Sequence, residues 1–124
     1  MDNEFVVFGF EFINKLKILS IKYQSLLGGK YTTILDLLKL LNNILMYNPS
    51  IIYYTICDER ELTEKLFITK NITLLLDILD TNKIAKKFIS PDLKNIFLNL
   101  FNKADEDDIT DIWISIEKFL SIIP

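Results

Sequence analysis

Phe5, Phe8, Phe12, Leu16, Leu19, Tyr23 and Leu26 recur at steps of three and four residues, the spacing that lines one face of an α-helix over residues 4–27. Lys15, Lys17, Lys22 and Gln24 fall off that stripe. Gly28-Gly29 closes the segment, because glycine tolerates the left-handed turn at a helix end. Phe5-Val6-Val7-Phe8 has the composition of a strand, but nothing downstream offers it a partner, so the spacing decides for helix. A second helix is expected over 34–47, with Thr33 and Asp36 as a capping pair and Ile34, Leu37, Leu38, Leu41, Ile44 and Leu45 inward. Asn48-Pro49 ends it and opens a short helix over 49–56, since proline at the first helical position gives up no hydrogen bond.

Asp58 with Glu61 repeats the capping signature and predicts a helix over 59–69 with Leu62, Leu66 and Phe67 inward. Residues 72–79 are apolar on nearly every side, as a central helix would be, and Asp80-Thr81-Asn82 separates them from a helix over 84–89. Ser90-Pro91-Asp92 launches a helix to residue 101 through Leu93, Ile96, Phe97 and Leu100. The last helix, 109–122, follows Asp105-Glu106-Asp107-Asp108 and buries Ile112 or Trp113, Ile116, Phe119 and Leu120. The expectation is one all-α domain over residues 1–124, a compact bundle of six or seven helices.

Half of the residues are apolar and mean hydropathy is positive at +0.26, which is rich enough to leave apolar surface for a partner as well as to fill a core. A net charge of -3 supplies no positive field for a phosphate backbone, so direct nucleic-acid binding is disfavoured. Cys57 has no mate, so no intrachain disulfide can form, a reducing cytoplasmic setting is expected, and the sequon Asn71-Ile72-Thr73 reads as chance. Asp2 and Glu4 stand where a secretory signal carries positive charge. The most apolar stretch, 34–47, contains Asp36, Lys39, Asn42 and Asn43, whereas a membrane span needs about 18 or more nearly uncharged residues.

The chain has no histidine, one cysteine and one arginine, so Cys57 has no imidazole to activate it and no nucleophile and base are spaced for catalysis. Gly28-Gly29-Lys30 is followed by Tyr31 between helices, unlike a phosphate loop. The acidic run 105–108 lacks the alternating ligands, turn glycine and closing glutamate of a divalent-metal loop, and reads as a helix start whose carboxylates offset the dipole. No enzyme activity, cofactor or metal is expected.

Laying residues 37–45 over 112–120 gives an offset of 75, close to two units of a helical repeat. With the helix ending in Asn48-Pro49, the short helix, and the longer amphipathic one after it, this pattern resembles armadillo or HEAT repeats, best over 33–67 and more loosely over 92–122. Residues 70–89 depart from it, and the small residues such repeats place at helix crossings are reduced to Ala85 and Ala104. The resemblance implies a short right-handed stack whose long helices bind an extended peptide or another subunit. On such helices Glu61 with Lys65, and Asn95 with Asn99, sit four apart and would face a partner together. Lys86 and Lys87, in a basic cluster with Lys83 and Lys94, offer a dock for an acidic group. A stack this short leaves its ends uncapped, which implies a homodimer or a host complex.

The expected function is a non-catalytic protein-protein interaction module: an adaptor, inhibitor or small subunit of a larger assembly, a ribonucleoprotein such as the ribosome included. The alternative is similarity to the viral Bcl-2-like inhibitors of host apoptosis or innate signalling, in which about seven helices surround a central one and a groove takes an amphipathic helix. Residues 72–79 would serve as that central helix, but the family's Gly-Arg groove signature is missing, Arg60 following Asp58-Glu59. A four-helix bacteriocin immunity protein shares only the length and acidity.

Overall fold

Three-and-four spacing builds helices along the whole described chain. The computed structural model describes residues 2–48, 50–56, 61–81 and 86–122. Its helices are α1 (Asp2–Lys22), α2 (Gln24–Leu27), α3 (Tyr31–Tyr47), α4 (Ser50–Thr55), α5 (Glu64–Asp80), α6 (Pro91–Lys103) and α7 (Glu106–Ile122), with 3-10 turns at Gly28–Lys30 and Lys86–Phe88. Five of them run for thirteen residues or more and carry the architecture. The expected roles of Pro49, Cys57, Asp58, Glu59, Arg60, Lys83 and Ile84 lie outside the described residues.

Several boundaries differ from expectation, each for a local reason. Tyr23 interrupts the first helix, which rotates α2 so that Leu27 is buried and Leu26, expected inward, is exposed. Gly28 then takes φ +52°, open to glycine without strain, and the 3-10 turn runs straight into α3. The Tyr31 N–H donates to the Gly28 carbonyl, so α3 starts without a side-chain cap, and Thr33 and Asp36 lie inside it. Helix α5 is capped not by Asp58 but by Thr63, whose hydroxyl accepts from the Leu66 N–H at 3.4 Å. It then continues unbroken through residues 70 and 71, where a gap is expected. Thr69 Oγ1 donates to the Lys65 carbonyl at 2.7 Å and Asn71 Nδ2 to the Phe67 carbonyl at 2.8 Å, so both polar side chains are satisfied along their own helix. Because the helix runs on, its buried face is set by Phe67, Asn71 and Leu75, and Leu66 lies opposite that stripe and is exposed. Finally, α7 begins at Glu106, which draws Glu106, Asp107 and Asp108 into its first turn, where their charge offsets the dipole.

One apolar core joins the helices, with Leu16 of α1, Leu37 and Leu38 of α3, Phe67 and Leu75 of α5, Phe97 of α6, and Ile112 and Ile116 of α7 all buried in it. Helix α5 packs on α4, α6 and α7. Along its length only Leu66, Asp77 and Asp80 are exposed, in keeping with its apolar pattern, although it packs on neither α1 nor α3 to any extent. Helix α6 runs antiparallel to it, tied by Lys65 to the Asn102 carbonyl at one end and by Lys94 to Asp77 at the other. Asn71 is only 2 % exposed, so its sequon is out of reach of a glycosylating enzyme in the folded protein. The bundle closes where α1, besides packing on α3, meets α7. Among the described residues no helix is long and apolar enough to cross a membrane.

Candidate functional site

Helix α1 carries two stripes. Phe8, Phe12, Leu16 and Leu19 face the core. Val7, Glu11, Asn14, Ile18 and Ile21 follow at steps of four, three, four and three on the opposite side, and all five are exposed. Val7 and Ile18 each show 57 % of their surface and Ile21 45 %. Beside them α7 presents Asp107, Asp111, Ile114 and Lys118 at steps of four, three and four, also exposed, with Ile114 at 45 %. The two stripes form one outer face made from the first and last helices.

Polar contacts fix how these helices run. Lys15 Nζ donates to the Asp111 carbonyl at 2.8 Å and pairs with its Oδ1 at 3.1 Å. Lys22 Nζ meets Asp108 Oδ2 at 2.9 Å and Asp105 Oδ2 at 3.6 Å. The Tyr23 hydroxyl donates to Asp108 Oδ2 at 3.1 Å and accepts from the Asp105 N–H at 2.9 Å. Helices α1 and α7 are therefore antiparallel, with Asp105, Asp107 and Asp108 at the Ile18–Ile21 end. Between them Lys15, Ile18, Leu19, Lys22, Asp108, Asp111 and Ile112 line a dimple of about 40 Å³. Helix α7 carries five carboxylates and one lysine, a net −4 against −3 for the whole chain.

The hydrogen bond to Asp108 holds the Lys22 ammonium above its usual range, against the pull of burial, with the charges of Asp108, Tyr23 and Asp105 adding to it. For Tyr23 the Asp105 N–H pulls downward most strongly, but burial, the hydrogen bond to Asp108 and the Asp105 charge together carry the phenol above its usual range. Both pKa values are raised by folding, so the stability they contribute is complete below about pH 10 and is lost as pH rises through the folded values. The melting temperature is expected to fall between pH 9 and pH 11 (~10, the phenol range) more steeply in the native protein than in a Lys22→Met, Tyr23→Phe double variant. Parallel pH profiles would show that the seam plays no part.

The six sequence-predicted partner residues fall on three regions. Glu61 is exposed in the turn before Thr63, outside α5, so its spacing from Lys65 is not a helical one. Lys65 is half-buried and spends its ammonium on the Asn102 carbonyl at 3.2 Å. Lys86 and Lys87 are exposed in the 3-10 turn, and Asn95 and Asn99 are exposed one turn apart on α6. Lys65 also lines a cleft of about 550 Å³ with Thr63, Glu64, Glu106, Ile109 and Thr110, between the starts of α5 and α7. There Thr110 Oγ1 donates to Glu64 Oε2 at 3.2 Å and Thr63 caps α5, so these groups serve to join the two helix ends.

Sequence reasoning passed over Val7, Ile18, Ile21 and Ile114. The signal was present in α1: once the buried stripe is removed, the remaining apolar residues fall on one opposite face. Compared with protein-family models, with curated proteins and with solved structures, the chain gives no match.

Proposed function

We propose that the protein is a non-catalytic protein-interaction module, acting in the cytoplasm as an adaptor, inhibitor or small subunit, and that the outer face of α1 and α7 is its binding surface. The observation that carries this reading is the apolar group Val7, Ile18, Ile21 and Ile114, left about half exposed on two adjoining helices of a chain whose core is already filled. Covering each of these side chains provides roughly half of the ~1.5–3 kcal/mol that full burial gives. The four together provide about 3–6 kcal/mol, of the order of the low end of the ~4–15 kcal/mol lost on association.

A tagged pull-down with quantitative mass spectrometry across a salt series tests the proposal. A protein recovered in stoichiometric amount, and lost from an Ile18→Ser, Ile114→Ser variant, supports it. Recovery of the tagged protein alone overturns it.

The second reading, a Bcl-2-like inhibitor that takes an amphipathic helix in a groove, is favoured by the enclosure of α5 between α4, α6 and α7. Apoptotic or innate-signalling regulators among the captured proteins would support it. A short armadillo or HEAT-like stack draws less support, because repeats in a stack touch only their neighbours, whereas here the first and last helices pack together. Joining them also covers the ends whose exposure argued for a homodimer.

A further inference from the structure

We infer that the chain has a second way of completing the same core: a domain-swapped dimer, in which residues 2–27 of one copy dock where residues 2–27 of another would lie, with Gly28 as the hinge. This dimer is independent of the binding surface proposed above.

The connection from α1 to α3 is close to a continuous helix. Tyr23, at φ −107° and ψ 30°, bends the path, yet its N–H still donates to the Leu19 carbonyl, four residues back, at 3.0 Å. The Gly28 N–H likewise donates to the Gln24 carbonyl. Leu27, Lys30 and Tyr31 keep right-handed helical dihedrals. At Gly28, with φ +52° and ψ −130°, the chain leaves that region, and among the described residues Gly28 is the one with positive φ. Rotating Gly28 into the helical region would merge α2, the 3-10 turn and α3 into one rod and carry α1 away from its own α3.

The apolar pattern runs through this break in phase. Leu16 and Ile34, Leu19 and Leu37, and Leu27 and Leu45 are each 18 residues apart, five whole turns of an α-helix, and all six side chains are buried. A hairpin needs no such phase, because its turn can rotate one helix against the other. An extended rod does need it: both core stripes must then lie on one side, so that two rods running antiparallel bury them against each other. Each α1 would meet the other copy's α3, α4 and α7, the same surfaces it covers within one chain. The pairs of Lys15 with Asp111 and Lys22 with Asp108, and the Tyr23 hydroxyl on Asp108, would re-form between copies, closing a two-fold assembly with no new contact required.

Because both forms share these contacts, the hinge and the concentration decide between them. A short linker holds α1 at an effective concentration of about a millimolar, so the closed monomer prevails in dilute solution. Alanine at 28 strains the closed form, a penalty that shifts an equilibrium by about 5- to 150-fold, and it also continues a helix better than glycine. Two hinges open per dimer, so the crossover falls by the square of that factor, about 25-fold or more, to ~40 µM or below. Gly29 is the control, since its φ is not positive and a Cβ there meets open space.

The test is to unfold the protein in urea, refold it at about 1 µM and about 1 mM, and size the products by chromatography with light scattering. The wild type is expected to give monomer from the dilute sample and a dimer fraction from the concentrated one, Gly28→Ala to be largely dimeric already at ~100 µM, and Gly29→Ala to follow the wild type. In a dimer refolded from equal amounts of isotope-labelled and unlabelled chains, filtered NOEs are expected between α1 of one copy and α3 of the other. A dimer whose α1–α3 NOEs stay within one chain overturns the inference. So does a folded Gly28→Ala that remains monomeric after concentrated refolding, or a Gly29→Ala as dimeric as Gly28→Ala. If Gly28→Ala does not fold, the wild type decides, and its remaining wholly monomeric after concentrated refolding overturns the inference equally.

Discussion

Replacing Phe67 with alanine is expected to destabilise the protein by about 3–5 kcal/mol, the usual cost of emptying a large aromatic site in a core that only partly collapses. Phe67 is fully buried on α5 and meets the single tryptophan, Trp113, edge to face, with ring centroids 5.0 Å apart and planes at 90°. An aromatic pair in that geometry adds roughly 0.5–1.5 kcal/mol beyond area burial. Against a total of about 5–15 kcal/mol for a typical domain, such a loss brings unfolding within reach of physiological temperature. Urea denaturation followed by Trp113 fluorescence measures it, and the native emission should shift to the red as water reaches the indole. A loss below about 1 kcal/mol would show that the site closes up easily and that α5 is not the organising helix.

The second large effect is expected from Lys70→Pro. Proline at residue 70 removes the backbone N–H that bonds the carbonyl four residues earlier and drives its ring against that carbonyl, at a cost of about 3 kcal/mol or more inside a helix. Sequence periodicity ends one helix at 69 and begins another at 72, and at such a junction proline would be tolerated. In the continuous α5 it falls in the middle of the element on which α4, α6 and α7 pack. Lys70→Ala, which keeps the N–H, separates the side chain's share. If the two variants melt together, helix α5 is interrupted after all.

Both variants probe a helix whose continuity the sequence conceals, although the all-helical class is legible from spacing alone. The core positions of α3 and α6 were equally legible, because each helix carries a narrow apolar stripe with polar neighbours. Thr69-Lys70-Asn71 misled because polar residues inside an apolar run look like punctuation, whereas two of these side chains bond back along their own helix. Leu66 misled because a helix ending at residue 69 leaves its buried face undecided between Leu66 and Phe67, whereas the continuous α5 buries the face of Phe67, Asn71 and Leu75, opposite Leu66. The partner residues were chosen by charge and four-residue spacing, a rule that holds only within one helix. Asn95 and Asn99 do share one face of α6, whereas Glu61 lies in a turn and shares none with Lys65. The α1–α7 face went unseen for another reason: no local pattern in a sequence says that its first and last helices are neighbours.

That neighbourhood has a kinetic side. The contact between Lys15 and Asp111 spans 96 residues of chain, and the entropy of closing so long a loop is lost before the contact returns anything. Helices α5 and α6, joined by a pair only 17 residues apart, can dock early. By this argument the seam between α1 and α7 is expected to be completed late, after the rest of the bundle is in place. A surface assembled from both of these helices exists only on a molecule that has finished folding, so a partner docked on the proposed face would distinguish the mature protein from its own nascent or partly unfolded chains.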